Sequence, residues 1–209
     1  GGKINYLNSK LKIFHLQTKN NYAILNEQLK KIFIKKNFSS KLIIPEKNKY
    51  KKIRHKIKND YLISKINDEN MFFVYTFARL LKIKENSFIS SMRSFKGLPH
   101  RFEIFYKKKD LIFINDSKAT SFSAAKLALS SLENIYWILG GLPKKNDKIN
   151  LSKDKNKIIK CYLIGKNIAF FKKKISKNFA YSVTKNIKNS IIEILRDIKL
   201  QKNKNKSIL

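Results

Sequence analysis

"DLIFINDSKATSFSAAKLALSSLENIYWILGG", Asp110 to Gly141, is the stretch whose reading decides the fold. Leu111 to Ile114 form a short continuous apolar run, the length of a buried strand. Ala124, Ala125, Ala128, Leu129 and Leu132 then recur at helical spacing, and "IYWILGG" reads as a second strand. Strand, helix, strand is the unit of a parallel sheet with a right-handed crossover. Between the first strand and the helix stands "NDSKAT", Asn115 to Thr120. It sits at the carboxyl end of a strand, where open α/β sheets bind their ligands.

The alternation continues outward from there. "IIKCYLIG" reads as a strand, a helix is predicted from about Asn167, "FAYSV" is a strand, and Ile187, Ile191, Ile192, Leu195 and Ile198 mark the stripe of a last helix. The order βαβαβα predicts a parallel sheet with helices on both faces. Ser207, Ile208 and Leu209 read as a strand just begun, and with Gly1 and Gly2 at the other end the chain reads as a fragment. The first hundred residues form a different unit. "YAILN" and "KLIIP" read as buried strands, Met71, Val74, Tyr75, Ala78 and Leu81 as a helical stripe, and Ile89, Met92 and Phe95 as part of a second helix. Gly97 and Pro99 break helix continuity, which puts the domain boundary near Leu98, with units of 1–98 and 99–209. Lys-rich stretches such as "EKNKYKKIRHKIKND" read as solvated loops or faces.

Composition narrows the classes. A formal charge of +33 points at first to nucleic acid. Lysine is nevertheless spread along the whole chain and travels with Ile, Asn and Phe, the residues an AT-rich coding sequence supplies. Arginine, the better phosphate reader, numbers five. The aromatics fall inside apolar runs rather than among the cations, unlike a base-stacking surface. The reading is therefore of no specific nucleic-acid partner. The single cysteine, Cys161 in "CYLIG", excludes an internal disulfide and fits a buried thiol in a cytoplasmic protein. No apolar run approaches the roughly 18 residues of a membrane helix.

Three motifs in order, "GLPHRFE" at Gly97, "INDSKAT" at Ile114 and "WILGG" at Trp137, resemble the Mur ligases, and within them the branch that adds D-glutamate to UDP-N-acetylmuramoyl-L-alanine. "YLNSKLKIF", "ILN", "NDEN" and "YLIG" extend the resemblance over nearly the whole chain. It implies an α/β chain made of the C-terminal part of a P-loop-type central domain, 1–98, followed by a Rossmann-like domain, 99–209, truncated at its end. It implies ATP and Mg²⁺ as cofactors, and a cytoplasmic, monomeric enzyme of peptidoglycan precursor synthesis that works through an acyl phosphate. Sister Mur ligases and folylpolyglutamate synthase are the alternatives within the class.

The same resemblance assigns the site. Lys10 matches a lysine that CO₂ carbamylates, so that it helps hold Mg²⁺. Asn67 matches an adenine-contacting Asn, with Ile66 standing where the family usually has His. Arg101 would take phosphate through its planar fork, Asp116 would accept from ribose hydroxyls, and Lys118 and Thr120 would lie near the reacting phosphate and the amino-acid carboxylate. Lys144 would pair with a carboxylate of D-glutamate. Residue chemistry offers bland rivals: a helix cap for Asn67, an Asx-turn or cap for Asp116, a cap for Thr120 on a helix beginning at Ser121, and a packed hinge residue for His100. The phosphate loop, the UDP-sugar domain and the end of the last domain have no counterpart in these residues. The chain by itself is therefore expected neither to bind ATP tightly nor to ligate.

Overall fold

The computed structural model describes residues 3–64, 66–144, 147, 150–200 and 205–209. The chain folds as two compact units, Gly1–Phe95 and Lys96–Leu209.

In unit one, α1 (Lys3–His15) leads to β1 (Tyr22–Ile24), α2 (Glu27–Lys35) and β2 (Lys41–Ile43). β1 and β2 pair in parallel, with Ala23 opposite Leu42. This βαβ turn closes over Ala23, Leu25 and Phe33, with Phe14 and Phe38 packed against the Phe33 ring. Three helices follow: α3 (Lys47–Ile57), α4 (Asp68–Leu80) and α5 (Glu85–Ser94). The Lys-rich stretch expected as solvated loops or faces is the helix α3, whose lysines are exposed while its other face is buried. Tyr50, Ile53 and Ile57 fall at i, i+3 and i+7 among the lysines, which places all three on one face, and they are buried against Met71, Tyr75, Ala78, Phe88 and Ile89. The expected α4 stripe is narrower than its sequence. Met71, Tyr75 and Ala78 are buried, whereas Val74 and Leu81 are exposed.

Unit two is a six-stranded sheet in the order β3-β4-β8-β5-β6-β7. Its elements are β3 (Glu103–Lys108), β4 (Leu111–Asn115), α6 (Phe122–Ser131), β5 (Ile135–Leu139), β6 (Ile158–Ile164), α7 (Ile168–Ile175), β7 (Tyr181–Lys185), α8 (Ile187–Leu200) and β8 (Lys206–Ile208). Five strands are parallel, and β3 is an antiparallel edge folded back on β4 through a tight turn with Lys109 at φ 46°. Central β5 is buried along nearly its whole length, as a strand covered on both faces must be. β8 enters between β4 and β5, with Ser207 opposite both Ile112 and Ile135. Cys161, at 0% exposure in the middle of β6, is the buried thiol expected. Burial pushes its pKa up to about 12.

α8 lies rotated from its expected stripe. Ser190 and Ile194 are fully buried, while Ile187, Ile192 and Leu195 are exposed. The cause is polar. Lys160 on β6 reaches Glu193 at 3.0 Å and Asp197 at 2.8 Å, the buried Tyr162 hydroxyl donates to Asp197 at 2.6 Å, and the Ser190 and Thr184 hydroxyls meet at 2.6 Å. Satisfying these groups turns the helix, because a buried polar atom left unpaired costs more than an exposed isoleucine.

Candidate functional site

Unit two opens with a strained turn. Gly97 at φ 87°, His100 at φ 64° and Phe102 at φ 47° all take left-handed backbone, and Leu98 bridges to Arg101. Positive φ at His and Phe is unfavourable and persists only where surrounding bonds impose it. Those bonds come from "INDSKAT". The Asp116 carboxylate accepts from Phe102 N at 2.9 Å, Lys118 N donates to the His100 carbonyl at 3.0 Å, and Asn115 Nδ2 lies 2.8 Å from His100 Nδ1. Glu103 Oε2 completes the turn by accepting from His100 N at 2.8 Å. Asn115 Oδ1 is itself occupied by Ser117 N, so its amide donates to His100 Nδ1 and the imidazole proton sits on Nε2. Two motifs separated in sequence are thus one interlocked loop.

Asp116 is half-buried. Burial raises its pKa, and the Phe102 N–H together with the Arg101 charge pull it back without cancelling that rise. Arg101 and Lys118 are exposed. Thr120 is exposed as well, and the capping role weighed for it belongs to its neighbour: Ser121 is the N-cap of α6, its hydroxyl accepting from Ala124 N at 3.2 Å. A hydroxyl one residue further along the chain meets the free amide, which leaves the Thr120 side chain uncommitted to the helix.

A cavity of about 760 Å³ opens where β4, β8, β5 and β6 end. Asn115, Asp116, Thr120 and Lys144 are polar groups in its lining, and Phe113 and Trp137 are among the apolar ones. The wall contributed by β5 requires glycine. A Cβ on Gly140 would lie 2.5 Å from Ile164 Cγ1, and Gly141 has φ 108° while its carbonyl accepts from Asn167 Nδ2 at 2.8 Å. Beyond it, Lys144 is exposed. Asp147 returns to the helix, its carboxylate accepting from Phe122 N at 2.8 Å and its own N–H donating to the Lys144 carbonyl at 3.2 Å. Lys145, which adjoins Lys144 and is equally suited by type to pair with a carboxylate, lies outside the described residues.

Arg101, Asp116, Lys118, Thr120 and Lys144 therefore all belong to unit two, and Asp116, Thr120 and Lys144 line one cavity. Lys10 and Asn67 belong to unit one. Lys10 is exposed on α1, with its ammonium 5.6 Å from the Tyr6 ring centroid. Asn67 is 6% exposed and occupies the N-cap position of α4 without making the cap bond; its amide instead donates to the Tyr61 carbonyl at 2.8 Å. Among the described residues no group of three His, Cys, Asp or Glu could hold a metal ion. Sequence reasoning missed Glu103, Asn115 and Asp147. The first two lay inside the quoted motifs, whereas Asp147 sits in a Lys-Asn-Asp-Lys run that carries no local signal.

No family model matches the chain. Individual relatives do. The chain is 30% identical over 98% of its length to a UDP-N-acetylmuramoylalanine--D-glutamate ligase of Rickettsia bellii, covering 50% of that protein. It is 32% identical over 79% of its length to the ligase of the same name from Rickettsia prowazekii, covering 42% of that protein, and 37% identical over 55% of its length to the one from Rhizobium meliloti, covering 25%. At best the chain spans about half the length of the curated relatives it matches. Among solved structures, MurF from Acinetobacter baumannii shares the fold, with a TM-score of 0.50 at 14% identity over 70% of this chain and 34% of that one.

Proposed function

The chain belongs to the Mur ligase family, and from that premise we propose that it forms the nucleotide-closing and amino-acid-presenting part of an ATP-dependent ligase. That ligase joins D-glutamate to UDP-N-acetylmuramoyl-L-alanine in peptidoglycan precursor synthesis, as a cytoplasmic monomer. Unit one is the C-terminal portion of the central ATP-binding domain, and unit two is the Rossmann-like domain that brings the amino acid. The observation that carries this reading is the interlock of "LPHR" with "NDSKAT", which holds an arginine, a carboxylate and a lysine on one loop at the carboxyl edge of a parallel sheet.

The substrate carboxylate attacks the γ-phosphorus of ATP, giving an acyl phosphate and ADP. The amine of D-glutamate then attacks the acyl carbon and phosphate leaves. Charge grows on oxygen at both steps, so preorganised cations and N–H donors do most of the work. Arg101 takes phosphate oxygens in its fork, Asp116 accepts from ribose hydroxyls, and Lys118 offsets charge at the reacting phosphate. Thr120 and Lys144 receive the carboxylates of D-glutamate. Asn67 contributes to adenine binding. Lys10, an exposed amine with no carboxylate paired to it among the described residues, is accessible to CO₂ and as a carbamate would hold Mg²⁺. When bound, that ion neutralises phosphate oxygens.

The test joins this chain to the half of a curated relative that it does not match. Grafted in place of the matching half of the Rickettsia bellii ligase, it should release phosphate from ATP only when both the muramoyl substrate and D-glutamate are present, while the chain by itself stays at the blank. A folded graft whose phosphate release ignores D-glutamate would refute the reading.

A further inference from the structure

We propose that unit one carries an anion site of its own, between the C-terminal end of α3 and one face of α5, which takes a phosphate-class oxyanion. It lies within unit one and uses neither Lys10 nor Asn67. A notch of about 380 Å³ is lined there by His55, Lys56, Lys58, Asn86, Ser90 and Arg93, with buried Ile89 also in the lining. Asn86, Ser90 and Arg93 stand at i, i+4 and i+7, one stripe of α5. A stripe at a helix–helix groove is ordinarily apolar. This one offers an amide, a hydroxyl and a guanidinium, and among the described residues no carboxylate lines the notch.

Two of the cations, Arg93 and Lys56, are held rather than loose. Arg93 Nε and Nη2 donate to the Lys56 carbonyl at 3.2 and 3.0 Å, which fixes the guanidinium plane, offsets the partial negative charge at the end of α3, and leaves Nη1 for a ligand. Asn59 Nδ2 donates to the Met92 and Phe95 carbonyls at 2.9 and 2.8 Å, stapling the two helix ends. Lys56 Nζ is anchored on Glu85 at 3.1 Å. Lysine is too common in this chain for its presence to mean much, but arginine numbers only five, and one of them is locked at this notch. The unprotonated oxygens of a phosphate accept hydrogen bonds, and the side chains around the notch are rich in donors.

The chain is titrated with inorganic phosphate, and separately with pyrophosphate, at an ionic strength held constant with chloride. The amide NMR shifts of His55, Asn86 and Ser90 are followed. Saturable shifts are expected, with the dissociation constant rising about tenfold in Lys58→Ala and in Arg93→Lys, which keeps the charge and removes the fork. Lys51→Ala, on the same helix but outside the notch, should bind as wild type does. Lys58→Ala leaves the Asn59 staple and the Arg93 anchor in place, so it reads binding even if altering Arg93 perturbs folding. Equal weakening by Lys51→Ala, unchanged binding in Lys58→Ala, or the same shifts from chloride alone would overturn the proposal.

Discussion

The carboxylate of Asp116 accepts the backbone N–H of Phe102 at 2.9 Å, although fourteen residues separate them and Phe102 has a left-handed backbone. One side chain thus does two things. It holds the entry turn of unit two in an unfavourable conformation, and it keeps a half-buried carboxylate beside Arg101 at the mouth of the cavity.

Asp116→Asn separates these roles. The amide oxygen still accepts from Phe102, but no charge is buried. The carboxyl's pKa is raised in the folded state, so the folding advantage of the protonated form is complete below the unfolded value of about 4 and is lost as pH rises through the folded one. At pH 7 the variant should therefore match or exceed wild type in stability, by less than about 1 kcal/mol for a group this exposed, and the gap should close as pH falls toward about 4. In the grafted enzyme it should lose nucleotide affinity. Denaturant melts at several pH values, set beside nucleotide titration, check both halves of the prediction.

Asn115→Ala removes the bond to His100 and the one from Ser117 N. Each is exposed or nearly so, and the expected cost is about 1 kcal/mol. The informative readout is local. Hydrogen exchange at Phe102 and Lys118 should speed up while the amides of β5 and β6 stay protected; uniform acceleration across the sheet would mean that Asn115 supports the whole unit rather than the interlock.

Gly140→Ala should destabilise unit two by about 1–3 kcal/mol, because its Cβ would meet Ile164 Cγ1 at 2.5 Å and the Ile164 carbonyl at 2.9 Å, and backbone cannot swing aside as a side-chain end can. A second change, Ile164→Val, removes part of the side-chain clash and leaves the carbonyl. Partial recovery of the melting temperature is the expected result.

Under α8, burial alone would raise the pKa of Asp197. Hydrogen bonds from Lys160 and Tyr162 and the Lys160 charge outweigh it and leave the carboxyl lowered. Its contribution to stability is thus present above about pH 4, the unfolded value, and lost as pH falls through the lowered folded value. Asp197→Asn should cost about 1–3 kcal/mol at neutral pH and flatten the acid limb of the stability profile, which acid titration of the two proteins compares directly.

How far the sequence was legible follows from the physics of each element. The strand–helix alternation after Asp110 was readable because buried strands and an alanine-faced helix impose plain periodicity. β3 was not: its "EIFYKK" sets two aromatics before two lysines on an exposed edge, and the turn to β4 uses Lys109 where a glycine or asparagine would have signalled a hairpin. α3 hid its three buried residues among lysines. The rotation of α8 depends on Lys160, remote in sequence, and on Thr184, which lies outside the helix, so its own pattern misled. At the candidate site the residue types were legible as motifs. The bonds by which Glu103, Asn115 and Asp147 hold those motifs are tertiary, and no local pattern encodes them.

The most direct test of the central claim is acceptor choice. The Rickettsia bellii graft is supplied with ATP, UDP-N-acetylmuramoyl-L-alanine and either labelled D-glutamate or labelled lysine, while hydroxylamine in a parallel reaction traps any acyl phosphate. The account predicts label transfer from D-glutamate alone, abolished in Lys118→Ala. Acyl phosphate that forms and is trapped while D-glutamate is never incorporated would contradict it.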